Sequence, residues 1–203
     1  MIALLSNGIT SPQLKNALYK HLHPLSNAAI VVSADNVYKE KNYHVPRITR
    51  ELQDFGLTVT TFDLDIQEPA ELLKYDVVEF MGGNPYYLLH SIRVHNASNV
   101  IKEIAAKKVL IGWSAGALIL TPSIDLVDKL TPEMNVVDIK DMSALALFGT
   151  CIVPHYTKFL NRYENLENIC KQYEKETHSK LIQLNDGDGI IIENGVETLI
   201  LGS

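Results

Sequence analysis

Val109-Leu110-Ile111-Gly112-Trp113-Ser114-Ala115-Gly116-Ala117-Leu118 is an apolar run, a Gly-x-Ser-x-Gly turn and the opening of a helix-forming segment. A buried strand that turns sharply into a helix reads this way, and the turn carries Ser114. The residue at such a turn takes a strained backbone conformation, so small neighbours are needed where strand and helix crowd together. Gly112, Ala115 and Gly116 supply them. The helix that follows is expected to aim its first amides and the positive end of its dipole at Ser114, favouring an anion that develops there. An ordinary glycine-serine turn ahead of a helix has the same letters, but the strand and helix on either side favour the nucleophile elbow.

Outward from this point the alternation repeats. Short apolar runs at residues 2–5, 28–32, 59–64, 77–81 and 109–112 predict strands. Between them, residues 12–22 predict a helix, with Ser11 as N-cap and Pro12 at the first helical position. Residues 46–55 put Ile48, Leu52 and Phe55 on one helical face, and residues 100–106 predict a third helix. Ala28-Ala29-Ile30-Val31-Val32 is apolar throughout rather than alternating, as in a parallel sheet covered on both faces. The last third reads differently: a strand at 151–153, an amphipathic helix over 163–176, and short strands at 181–184, 189–193 and 198–201. Asn194-Gly195 sits between the last two, and both residues tolerate the positive φ of a type I′ turn. The sheet is therefore expected to end in an antiparallel ribbon.

The 203 residues suffice for one well-filled α/β domain, and no Pro/Gly/Ser-rich stretch or charge block divides 1–203. The formal charge of −6 works against binding a phosphate backbone, so nucleic acid is not an expected partner. Met1 leads into a short apolar strand and the polar Ser6-Asn7-Gly8 rather than a basic leader with a long apolar core. No apolar run reaches the roughly 18 to 20 residues of a membrane span. A cytoplasmic protein with no membrane partner is the expectation. The two cysteines, Cys151 and Cys170, read as packing residues rather than a disulfide or metal site, and neither metal nor cofactor is expected. The sequence carries no signal of oligomeric state.

A serine hydroxyl needs a base within hydrogen-bond reach. Of the seven histidines, His21, His23, His44, His90, His95 and His178 lie in loops, helix ends or charged segments and read as surface or capping residues. His155 follows the predicted strand Cys151-Ile152-Val153, at the carboxyl edge where open α/β sheets build their sites, and is the candidate base. A loop histidine bonded to backbone is the alternative. Met81-Gly82-Gly83-Asn84-Pro85 ends one strand and opens a helix, leaving the amides of Gly82 and Gly83 free of side-chain cover. With Ala115 they are the candidate oxyanion donors, unless the glycines merely mark a close-packed turn. Asn185-Asp186-Gly187-Asp188-Gly189 offers two carboxylates to orient His155, and is equally readable as an acidic surface turn.

Gly112-Trp113-Ser114-Ala115-Gly116-Ala117, with Gly82-Gly83-Asn84 before it and Pro154-His155-Tyr156-Thr157 after it, resembles peptidase E, the aspartyl dipeptidase family of serine peptidases that includes cyanophycinases. The resemblance implies a three-layer α/β sandwich with a mostly parallel sheet, related to class I glutamine amidotransferases and flavodoxin-like, and catalytic residues in the order Ser114, His155, acid. Leu184-Asn185-Asp186-Gly187 puts Asp186 where relatives carry the acid. Asp is one methylene shorter than the Glu expected there, which predicts a bond to His155 that is longer, shared with Asp188, or absent. Asp125 and Asp128 follow the nucleophile where the family has a further acidic residue, and neither is assigned. The family's basic residue after the histidine has no clear counterpart, since Tyr156-Thr157-Lys158-Phe159-Leu160-Asn161-Arg162 runs directly toward a helix. Lys158, Arg162 and Asn84 are the candidate substrate contacts.

The resemblance therefore implies hydrolysis of a short peptide, N-terminal Asp-X among the candidates, through an acyl-enzyme on Ser114. A cyanophycin-like β-aspartyl peptide or an ester is the second reading. A non-catalytic binding protein on the same scaffold is the third. Ser6-Asn7-Gly8-Ile9-Thr10-Ser11-Pro12 after the first strand lacks the glycine spacing of a phosphate loop, which weighs against a flavin or nucleotide binder.

Overall fold

A computed structural model describes residues 1–202. Strands β1 (Ile2–Leu5), β2 (Asn27–Val31), β3 (Thr58–Phe62), β4 (Val77–Phe80) and β5 (Val109–Trp113) are the apolar runs of the first half. Helices α1 (Pro12–Leu22), α2 (Val45–Gln53), α3 (Pro85–Val94) and α4 (Ser98–Lys107) connect them, and α5 (Ala115–Leu118) follows β5. Beyond lie α6 (Asp125–Leu130), β6 (Cys151–Val153), α7 (Tyr156–Arg162), α8 (Leu166–Thr177), β7 (Leu181–Gln183), β8 (Gly189–Glu193) and β9 (Val196–Ile200).

The main sheet has seven strands in the order β3-β2-β4-β5-β1-β8-β9. Strands β3, β2, β4, β5 and β1 are mutually parallel, while β8 runs antiparallel to β1 and β9 antiparallel to β8. The residues of β4 and β5 are buried throughout, so this sheet is covered on both faces, as its unbroken apolar runs require. Asn194 and Gly195 take φ values of 51° and 77°, the left-handed pair of a type I′ turn, and close the terminal ribbon. Ser11 caps α1 by accepting from Leu14 N. No helix among the described residues is long and apolar enough to cross a membrane.

Three sequence expectations are corrected. Strand β6 does not belong to the main sheet; it pairs in parallel with β7 in a separate two-stranded sheet, Ile152 opposite Ile182. The helix expected over 163–176 starts later, as α8 after Asn165 at φ 66°, and α7 ahead of it is a separate helix that the sequence reading did not give. The helix after Ser114 is a single turn. Thr121 Oγ1 donates to Leu118 O at 2.7 Å, and Pro122 disfavours helical backbone at the residue before it. A helix this short contributes little dipole, so only its first amides bear on Ser114.

Within apolar β4, Glu79 is fully buried, and neither carboxylate oxygen has a hydrogen-bond partner among the described residues. Burial, then repulsion from Glu51, push its carboxyl well above the usual carboxylate range, against a smaller pull from Arg47. The native state therefore holds a proton that the unfolded chain releases above about pH 4.3. Stability contributed by the neutral carboxyl is complete below that pH and is lost as pH rises through the raised native value. Glu79→Gln keeps the shape without the titration. Urea unfolding from pH 5 to 8 should show the wild type losing stability relative to Glu79→Gln by up to about 1.4 kcal/mol per pH unit, and parallel profiles would refute this.

Candidate active site

Ser114 follows β5 at the carboxyl edge of the sheet with φ 49° and ψ −116°, a conformation that a residue with a side chain rarely adopts. Its geometry is enforced from two sides. Ser114 N donates to Leu5 O at 3.0 Å, and Ser114 O accepts from Ala117 N and Leu118 N. A Cβ on Gly112 would lie 2.3 Å from Gly116 O, and one on Gly116 would lie 2.0 Å from Phe80 O, so the strand and the helical turn can approach this closely only with glycine at both places.

His155 lies just beyond β6, with φ 55°. Its Nε2 is 3.0 Å from Ser114 Oγ, and its Nδ1 is 2.6 Å from Asp186 Oδ1. The ionised carboxylate only accepts, so Nδ1 carries the proton and Nε2 is left to accept from the serine hydroxyl. Burial raises the Asp186 carboxyl, but hydrogen bonds from Lys158 and His155 and their charges outweigh it and hold the group below its ordinary value.

The expectation of a long, shared or missing acid contact is thus overturned for Asp186. The reason lies in how its turn is held. Leu184 N donates to Val153 O and Tyr156 N to Leu184 O, extending the β6–β7 pairing past His155. Thr157 N donates to Asn185 Oδ1 at 3.1 Å, Gly187 N to Asn7 Oδ1 at 2.8 Å, and Ser11 Oγ to Gly187 O at 2.7 Å. This brings the Asp186 backbone near enough for the shorter side chain to reach. Asp188 does not share the role: its two oxygens accept from Asn185 N and Gly202 N.

Ser6, the residue after β1, was not singled out in the sequence. It is fully buried; its Oγ accepts from His155 N at 2.8 Å, and its hydrogen is placed for Leu184 O at 3.3 Å or Asp186 Oδ1 at 3.4 Å. One hydroxyl therefore ties the backbone of the histidine to the turn that carries the acid. The available signal was a serine directly after a central strand, at the same sheet edge as Ser114.

Two cavities meet at Ser114 and Gly83. One, of about 460 Å³, is polar: Asn7, Asn42, His44, Arg47, Trp113, His155 and Lys158 line it. Arg47 pairs with Glu51 and lies over the Trp113 ring, 5.1 Å from its centroid. Burial first, then the charges of Arg47 and His155, lower the His44 imidazole, favouring its neutral form. The sequence reads His44 as a surface or capping residue, and nothing local marks it for this wall. The other cavity, of about 200 Å³, is lined mainly by apolar side chains, Leu118, Ile124, Leu126 and Val127 among them.

Gly83 lines both cavities, Gly82 the polar one and Ala115 the apolar one. Gly83 has φ 151°, and a Cβ there would lie 2.5 Å from Ala34 O. The Asn84 expectation changes: its Oδ1 accepts from Tyr86 N and Tyr87 N as the cap of α3, its Nδ2 donates to Met134 O at 2.6 Å, and it lines neither cavity. Lys158 is ion-paired with Asp186, and Arg162 lies exposed over the Tyr163 ring. Asp128 accepts from Tyr86 Oη at 3.1 Å, and neither it nor Asp125 lines either cavity.

A mostly parallel α/β sandwich with a strained serine, a histidine and a carboxylate in hydrogen-bonded series at the sheet edge has the architecture of a serine hydrolase. The chain belongs to peptidase family S51, whose sequence profile matches residues 2–200. It is 32% identical over 123 residues to an uncharacterized peptidase of Listeria monocytogenes, a match covering 58% of this chain and 60% of that protein's length. It is 26% identical over 180 residues to peptidase E of Escherichia coli, covering 85% of this chain and 76% of the relative. The fold matches a crystal structure of a candidate peptidase E protein from Listeria monocytogenes with TM-score 0.79 at 24% identity, over 100% of this chain and 98% of the other. It also matches a peptidase from an acI-B1 Actinobacterium with TM-score 0.73 at 18% identity, over 100% and 87%.

Two outcomes follow from this geometry. Asp186→Ala should slow labelling of Ser114 by a fluorophosphonate by about 10⁴-fold, as loss of a well-held orienting acid does, and a loss of tenfold or less would mean the 2.6 Å contact is inconsequential. Ser114→Gly should be more stable than Ser114→Ala by about 1 kcal/mol in thermal or urea unfolding, because glycine relieves the positive φ; equal stabilities would contradict strain at the turn.

Proposed function

We propose that this single-domain chain is a serine peptidase acting on short peptides, with Ser114 as nucleophile, His155 as general base and then acid, and Asp186 as the carboxylate that orients the imidazole. The observation that carries the proposal is the series Asp186 Oδ1–His155 Nδ1 at 2.6 Å and His155 Nε2–Ser114 Oγ at 3.0 Å, ending on a serine at φ 49°. In this reading Nε2 takes the hydroxyl proton as Oγ attacks the carbonyl carbon. The imidazolium formed is stabilised by Asp186, and the same proton passes to the departing amine as the acyl-enzyme forms. Water then enters by the reverse order of steps.

The developing oxyanion needs donors beside Ser114. The amides of Gly83 and Ala115 have no acceptor among the described residues, and both residues line the wall around Ser114; Gly82, lining the polar cavity, is the further candidate. Two cavities of limited size flanking the serine suit a short peptide better than a long chain. An aspartate on the acyl side would need a cation to receive it, and the two candidates are weakly placed for that. Lys158 is paired with Asp186, and Arg162 is exposed.

Ser114→Ala should remove hydrolysis of dipeptides by several orders of magnitude while leaving the circular dichroism unchanged, and near wild-type turnover by the pure variant would refute the assignment. The wild-type rate should fall toward acid pH, because a protonated imidazole cannot accept from Ser114. Asp186 is held below the ordinary carboxylate range, which favours its ionised form. A rate that rises on acidification would exclude His155 as base.

A further inference from the structure

We propose that the apolar cavity beside Ser114 receives the side chain of the acyl residue, so that the preferred substrates carry a leucine- or methionine-sized apolar residue on the acyl side of the scissile bond. This deepens, and rests on, the serine-peptidase reading above. The assignment of sides comes from the proton. The histidine that must protonate the departing amine lines the polar cavity and not the apolar one, so the amine leaves toward the polar side. Ala115, a candidate oxyanion donor, lines only the apolar cavity. Gly83 lines both cavities and Gly82 the polar one, so the donors alone do not choose a side; with the amine leaving toward His155, the acyl side chain is assigned to the apolar side.

The cavity has an apolar interior. Ile124 and Leu126 come from the start of α6, and Ile152 and Val153 from β6; all are at least nine-tenths buried. Its volume of about 200 Å³ exceeds the roughly 150 Å³ of an apolar cavity that accepts benzene, so a leucine or methionine side chain has room. Tyr163 contributes a hydroxyl that is buried and has no partner among the described residues, a neutral group rather than a counter-charge. Arg162 is the cation on this wall, and it lies exposed with its guanidinium 5.3 Å from the Tyr163 ring centroid. An ionised carboxylate pushed inside would lose its hydration without a buried partner. A leucine side chain would gain from leaving water.

The test is a set of dipeptides sharing one leaving residue and differing in the acyl residue: Leu, Met, Ala and Asp. Apparent kcat/KM for Leu or Met should exceed that for Ala and Asp by on the order of 10- to 100-fold. Labelling of Ser114 by a fluorophosphonate in the same preparation separates the two levels of the proposal. If Ser114 is labelled and Asp is preferred, or no preference appears, the cavity assignment is overturned while the serine-peptidase reading stands. If Ser114 is not labelled and none of the dipeptides is cleaved, both are overturned. Val127→Phe, which fills the cavity from a partly exposed position, should lower the Leu-to-Ala ratio at least tenfold through KM. Should that variant fail to fold, Val127→Ala should move the preference toward a phenylalanine acyl residue. A Leu-to-Ala ratio unchanged in a folded Val127→Phe, or no such move in Val127→Ala, would overturn the assignment.

Discussion

The turn from β5 into α5 must be made within one residue, and the rest of the site is arranged around that constraint. Phe80 O lies over Gly116 and Gly116 O over Gly112, at separations that leave no room for a Cβ on either glycine. The residue between strand and helix is therefore held at positive φ, at a cost of about 1–3 kcal/mol that the surrounding core must offset. Its position lifts Oγ out of the sheet at the carboxyl edge while Ser114 N stays bonded to Leu5 O. A strand with side chains in place of Gly112 or Gly116 would have to part from the turn, and the hydroxyl would lose its position relative to His155.

The second half of the site is assembled on the first by hydrogen bonds rather than by chain continuity. Strand β6 carries His155 but lies outside the main sheet, so it needs a tether to that sheet. Ser6 Oγ provides one by accepting from the His155 amide, and the β7 turn provides the other through Leu184 and Asn185. The Ser6 and Leu184 contacts satisfy backbone groups that burial would otherwise leave unpaired. The imidazole is thereby positioned by its own backbone as well as by Asp186.

Around this centre the two cavities differ in electrostatics. Arg47, His44 and Lys158 gather at the polar one, while the apolar one has a single exposed cation at its wall. Glu79 lies fully buried in the same strand whose carbonyl at Phe80 constrains the elbow, one residue away.

By itself the sequence determined what local periodicity and local backbone chemistry can carry. Continuous apolar runs made buried parallel strands, Asn194-Gly195 made the terminal hairpin, and Gly112 to Gly116 around a serine made the elbow, because each depends on residues a few positions apart. His155 could be selected from seven histidines for its place after a strand, although the strand proved to belong to another sheet. What lay beyond local sequence were the distances between segments remote in the chain. Ser6 and Asp186 are separated by 180 positions, and the reach of a carboxylate one methylene shorter than expected depended on how many tertiary bonds drew its turn inward. The same holds for Asn84, whose amide caps a helix and binds Met134 O, for the helix that ends one turn after Ser114, and for the cavity walls drawn from α6, β6 and α7. Only tertiary packing decided these, because a side chain's partner depends on which backbone lies within about 3 Å of it, and no periodicity in the chain encodes that.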